Sequence, residues 1–186
     1  HIAALTGPDD LRLSLYLDPR KQDMRFKLYR QLQDIPLSDA LPMMENMGLR
    51  VITEHPYRVD AEAGVAWIQE FEVQSLLGEL DVGALDEDFE DAFAAIWRGD
   101  AENDGFNRLV LAAGLNWKQV AMLRAYCKYL LQAGVPFSQS YMEATLTRYP
   151  LLSRLLVELF EARFHPATGS ESASEIKHGM ERFGAN

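Results

Sequence analysis

The stretch from Ile35 to Tyr57, IPLSDALPMMENMGLRVITEHPY, sets the strongest limit on what this chain can fold into. Ser38 and Asp39 are residue types that cap helix N-termini, and a short apolar stripe follows at Leu41, Met44 and Met47. Gly48 stands where a helix commonly ends in a left-handed residue. From Leu49 the apolar period drops from about 3.6 to 2, the step from helix into strand. Val51, Thr53, Tyr57 and Val59 then fall on one face, with His55 on that inward face beside Pro56. A helix tied this tightly to a following strand needs a sheet to lie on.

The flanking sequence supplies that sheet. Leu11, Leu13, Leu15 and Leu17 alternate with Arg12, Ser14, Tyr16 and Asp18, the pattern of a half-buried strand. After a polar turn at residues 18–23, Met24, Phe26 and Leu28 restart the alternation, and a hairpin is the simplest link. Pro56 cannot donate to a ladder, so the third strand, about Arg50 to Val59, belongs at an edge. A fourth strand has Val65, Trp67, Phe71 and Val73 on one face, with Glu70 and Glu72 on the other. A right-handed crossover through the helix then places the strands in the order first, second, fourth, third. The fold class expected is α+β: a ferredoxin-like, ACT-like four-stranded antiparallel sheet with two helices, followed by an all-helical bundle. The second helix runs near Asp86 to Arg98, with Phe89, Phe93, Ile96 and Trp97 on its apolar side.

Beyond Asn103 the periodicity is helical throughout. Phe106, Leu109, Val110 and Ala113 form a stripe ended by Gly114, and Asn116 caps the next helix. That helix carries Val120, Leu123, Cys127, Leu130 and Leu131 as far as Gly134. Ser138 caps another, and Pro150 suits the first turn of a last one with an apolar arc of Leu152, Leu155, Leu156, Leu159 and Phe160. The expected division is an ACT-like domain over 1–100, a bundle segment over 101–166, and a flexible tail or the start of a further helix over 167–186. Ile176 to Phe183 is the stretch where that further helix would start.

Charge and composition exclude several functions. The net charge is -10, and ten acids between Glu79 and Asp104 face one base, Arg98. Such a surface repels polyanions, so nucleic acid is not an expected partner. The acidic stretch DEDFED lacks the glycine and alternating ligands of a calcium loop and reads as a solvated helix face. No apolar run approaches the ~20 residues of a membrane span, and no signal peptide is visible. A single cysteine, Cys127, fits a reducing cytoplasm.

Chemistry-bearing constellations are sparse. GxGxxG, P-loop, HExxH and paired-cysteine motifs are all missing from the sequence, and the four histidines make no ligand pair. The expectation is therefore no catalytic, no cofactor-binding and no metal residues in this chain. His55 reads as a packed or rim histidine and Cys127 as a small buried hydrophobe. Trp67 and Trp97 read as core or domain-interface residues. Trp117 directly follows its cap and is the better interface candidate, with Tyr126 and Tyr129 extending the patch.

Two blocks carry a resemblance. LSDALPMMENMGLRVITEHPY with WIQEFEV, and then DEDFEDAFAAIWRGDAENDGFNRLVLAAGLNWKQVAMLRAYCKYLLQAGVPFSQSYMEATLTRYP with LLVELFEARFHP, resemble the N-terminal regulatory part of large bacterial NAD-specific glutamate dehydrogenases. The resemblance runs in order from Leu11 to Pro166. It implies a non-catalytic regulatory or assembly segment of a cytoplasmic homo-oligomer, with an amino-acid effector and the rest of the parent chain as partners. It also implies that NAD and the catalytic lysine and aspartate belong to a later part of the parent. The alternatives are a free-standing ACT-like amino-acid sensor or interaction module and, less well matched to the residues, a stand-alone enzyme.

Overall fold

The computed structural model describes residue 7 and residues 10–61 and 64–164. Four strands come first, interrupted by one helix: β1 (Leu11–Leu17), β2 (Met24–Gln31), α1 (Leu37–Asn46), β3 (Leu49–Ala61) and β4 (Gly64–Ser75). Then α2 (Val82–Arg98), a 3-10 turn (Gly105–Asn107), α3 (Arg108–Ala113), α4 (Trp117–Gln132), α5 (Gln139–Arg148) and α6 (Pro150–Phe164) complete the described chain. All sheet pairings are antiparallel and the order is β1-β2-β4-β3, as the crossover rule requires. This is the ferredoxin-like arrangement, with the strand that usually comes last supplied from the front.

Register decides which side chains meet the helices. Leu15, Phe26 and Phe71 form one cross-strand row, and Leu13, Leu28 and Gln69 form the next. The apolar members of both rows are buried. On this face α2 lays Phe89 and Phe93 edge-on against Phe26, with ring centroids 5.1 and 5.0 Å away. Trp67, expected as a core or domain-interface residue, is half-buried toward the sheet end and pairs in register with Arg30 and Arg58. The second helix starts at Val82, four residues before the expected Asp86. A single apolar cluster runs from the sheet through α1 and α2 into α3, α4, α5 and α6.

Three local expectations are corrected. Neither Ser38 nor Asp39 caps α1: Pro36 is the N-cap residue, with φ -57° and ψ 133°, and its carbonyl accepts the N–H groups of Asp39 and Ala40. Ser38 instead donates its hydroxyl to Asp39 at 3.2 Å. In β3 a bulge between Val51 and Thr53 breaks the alternation. Val51 pairs with Val73 on the covered face, whereas Thr53, His55, Tyr57 and Val59 pair with Glu72, Glu70, Ile68 and Ala66 on the other. His55 is therefore exposed on the uncovered face and not packed inward. Finally, the residues that α6 buries are Ser153, Val157 and Ala162, while its leucine arc stays half-exposed. The expected tail and helix over 167–186 lie outside the described residues.

Gly48 ends α1 with φ +89°, as the sequence requires, and its carbonyl accepts the N–H of Leu76 at 2.9 Å. A Cβ there would meet Leu77 Cδ1 at 2.9 Å. Gly48→Ala is expected to lower stability by about 1–2 kcal/mol, through left-handed strain plus this contact. A denaturant midpoint equal to wild type would show that neighbouring segments absorb both.

Candidate functional site

Three places concentrate polar or accessible side chains. The first is the sheet face that no described helix covers. Ser14, Lys27, Glu70 and His55 form one row across all four strands, and Tyr16, Arg25, Glu72 and Thr53 form the next. Lys27 pairs with Glu70 at 3.2 Å, Tyr16 donates to Glu70 at 2.7 Å, and Arg25 pairs with Glu72 at 3.2 Å. The Tyr16 hydroxyl, with Glu70 adding, pushes the Lys27 ammonium above its ordinary range. Burial pulls Glu70 upward, but Tyr16 and Lys27 outweigh it and hold the carboxylate below its usual value. Tyr16 and Lys27 thus brace Glu70, and Arg25 braces Glu72, while Arg25 Nε is buried without a hydrogen-bond partner and His55 is exposed at the end of its row. Tyr57 stands half-exposed beside them, donating to Glu70 at 3.3 Å.

The second place is the loop from β2 to α1. Gln69, buried on β4, accepts the Ile35 N–H and donates to the Ile35 carbonyl, both at 2.9 Å. Its amide also donates to Glu54 at 3.2 Å. Both backbone groups that Ile35 could offer a ligand are thus already used, which pins the loop to the sheet. Gln69 shares the covered face with Phe71, and a polar residue inside an apolar alternation was the sequence signal for it.

The third is the helical half. Arg124 of α4 is almost fully buried and forks onto Asp104, with Nε and Nη2 each 2.8 Å from a carboxylate oxygen. Nη2 also donates to Asn107 Oδ1 at 2.7 Å. Asp104 in turn accepts the N–H of Phe106 and so starts the 3-10 turn. Beyond this hub, α4, α5 and α6 leave between them an open apolar groove of about 610 Å³. Cys127 lines it, buried, and burial followed by the charge of Glu143 pushes its thiol up, the opposite of an activated nucleophile.

The aromatic interface patch is not brought together. Trp117 and Tyr126 are nine residues, or about two and a half turns, apart on α4 and face opposite sides. Trp117 is half-buried against the core, whereas Tyr126 sets its ring edge-on to Phe160 of α6 at 5.9 Å. Tyr129 is exposed. Among the described residues no group of three or more His, Cys, Asp or Glu could hold a metal ion, and no helix is long and apolar enough to cross a membrane.

Glu90 of α2 accepts the N–H of Leu15 at 2.8 Å and so blunts the outer edge of β1. Desolvation, together with Asp86, Asp91 and Glu87, raises its pKa. A raised carboxyl contributes stability that is fully present below its unfolded value of ~4.3 and lost as pH rises through the folded one. Glu90→Gln keeps the acceptor and removes this loss. Relative to wild type it is expected to gain stability between pH 4 and 7, read from paired denaturation midpoints. A constant difference across that range would refute the assignment.

Comparison with known proteins follows this geometry closely. Residues 10–85 match the family model "Glutamate dehydrogenase, ACT3 domain", and residues 101–166 match "Glutamate dehydrogenase, helical motif 3". The chain is 45% identical over 170 residues to the NAD-specific glutamate dehydrogenase of Halomonas elongata, covering 90% of this chain. It is 42% identical over 171 residues to that of Pseudomonas aeruginosa, again over 90% of the chain. The chain belongs to this glutamate dehydrogenase family. A third member, from Mycobacterium tuberculosis, is 44% identical over 144 residues and 73% of the chain. This family member spans only 9–11% of the length of these relatives. Its ACT3 match covers the sheet and α1, and its helical match covers the 3-10 turn and α3 to α6. Helix α2 falls almost entirely between the two.

Proposed function

We propose that this segment is a non-catalytic regulatory and assembly part of an NAD-dependent glutamate dehydrogenase. The parent reaction is the oxidation of glutamate with NAD and water to 2-oxoglutarate, ammonium and NADH. The catalytic groups and the NAD site lie elsewhere in the parent chain, and the partners of this segment are that chain and neighbouring subunits. The observation that carries the reading is the uncovered sheet face. Its charges are braced against one another, so they hold a fixed surface, and Tyr57 with Ile68 supplies amphipathic area beside them.

The test uses the full-length parent carrying Tyr57→Asp. A surface residue that is half-exposed tolerates the change, so altered subunit assembly or altered response to added amino acids, with turnover per assembled subunit kept, supports the reading. Unchanged assembly and unchanged response would overturn it, as would NADH formation by residues 1–186 alone. A second reading, an amino-acid sensor, draws on the ACT match and on the β2–α1 loop held by Gln69. A ligand that prefers the folded state must raise the melting temperature. A concentration-dependent rise with one amino acid favours the sensor; a flat response across all of them favours assembly alone.

A further inference from the structure

The groove between α4, α5 and α6 is apolar along its length and charged at one point. Leu123, Cys127, Met142 and Leu146 line it and are themselves buried, so they form its floor. Along α4 the lining runs from Met122 to Leu130, about 12 Å. Of the residues that line it, only Arg163 carries a charge. Glu161 accepts from Gln119 at 2.9 Å, which sets the last turn of α6, and so Arg163, beside the first turn of α4. Val135 and Phe137 follow the other end of α4, where Phe137 stacks on Tyr141 with ring centroids 5.0 Å apart. One end of the trough is therefore cationic and the other aliphatic and aromatic.

We propose that this groove binds a medium- or long-chain fatty acid, with the acyl chain along the floor and the carboxylate on Arg163. The volume of about 610 Å³ lies inside the range of small-ligand sites. A whole partner helix of the same length, about 10 Å across, would displace about 900 Å³ and could not enter. The acyl chains of one membrane leaflet span about half of a ~30 Å hydrocarbon core, close to the length of the trough. The lining holds no amide side chain, and its one aliphatic hydroxyl, that of Thr145, is turned back onto the Tyr141 carbonyl at 2.7 Å. Such a site suits a ligand that is polar at one end only. Arg163 is placed to hold that end: its guanidinium lies over the ring of Phe164, 5.8 Å from the centroid, and no described residue takes its N–H groups. A guanidinium over a ring keeps its in-plane donors for a bidentate carboxylate. The site is separate from the sheet face and does not depend on what docks there.

Cys127 reports occupancy, since it is the chain's single thiol and lies on the groove floor. The probes are dodecanoate and 1-dodecanol, each kept below its aggregation concentration and added to the full 186-residue chain. Dodecanoate is expected to slow the reaction of Cys127 with a thiol reagent saturably, by about tenfold when the groove is about nine-tenths occupied. Arg163→Gln changes an exposed residue and should keep the fold. It is expected to weaken dodecanoate about tenfold and to leave the affinity for 1-dodecanol unchanged, because only the acid has a charge to lose. No saturable protection by dodecanoate would overturn the proposal and leave the groove to a protein partner. An unchanged affinity for the acid in Arg163→Gln would overturn it too. So would an equal loss for acid and alcohol, which would make Arg163 a wall of the groove and not the partner of a carboxylate.

Discussion

Arg124→Met is expected to cost about 3–5 kcal/mol, the largest effect of any single substitution in the helical half. Methionine keeps the length of the stem and its packing near Phe106, over whose ring the guanidinium sits at 5.7 Å. What it removes is the fork onto Asp104, the bond to Asn107, and a longer contact to the Glu102 carbonyl. Asp104 then remains largely buried with a charge and no cation. Stripping one partner from a buried pair has this order of cost. Against a total of ~5–15 kcal/mol it consumes a large share of the fold's stability. The Asp104→Asn/Arg124→Met double variant should lose less than the two single losses added, because no orphan charge is left. Guanidinium denaturation of all four proteins measures this. An Arg124→Met midpoint close to wild type would mean that water reaches Asp104 and repairs the site.

Much of this architecture could be read directly from periodicity. The alternation at Leu11–Leu17 and Met24–Leu28, the left-handed end at Gly48 and the cap at Asn116 each follow from one local rule. Asn116 forms the full capping box with Gln119. Features that depend on a single inserted residue or on a partner distant in sequence were not legible. The bulge at Ile52 flips everything after it to the other face, yet an exposed isoleucine in a strand looks like any other. Likewise the arc of leucines on α6 suggests a buried face, but burial depends on how many helices surround it, which periodicity does not count. Arg124 did leave a trace. It lies inside the stripe Val120, Leu123, Cys127, and a cation there requires an anion from elsewhere, twenty residues upstream at Asp104. Gln69 left the same kind of trace among Trp67, Phe71 and Val73.

Phe93→Ala is expected to cost about 3–5 kcal/mol, and its effect should reach both halves of the chain. The ring is fully buried, 5.0 Å from Phe26 on the sheet and 6.4 Å from Phe89. The helix that carries it packs on β1 on one side and touches α3 and α4 on the other. Helix α2 is therefore a wall shared by sheet and bundle, although the ACT3 match ends at residue 85, only four residues into it. A fragment ending at 85 keeps Phe26 but loses Phe89, Phe93 and Ile96, each worth roughly 1.5–3 kcal/mol of burial. That sum rivals the stability of a whole small domain, so residues 1–85 should be unfolded or aggregated. Residues 1–100 keep the wall and should unfold cooperatively, with a lower midpoint than the full chain because the α3 and α4 contacts are gone. Circular dichroism and denaturation of the two fragments decide the matter. A well-folded 1–85 fragment would mean that α2 serves the bundle alone and that the sheet hides its apolar face by some other means.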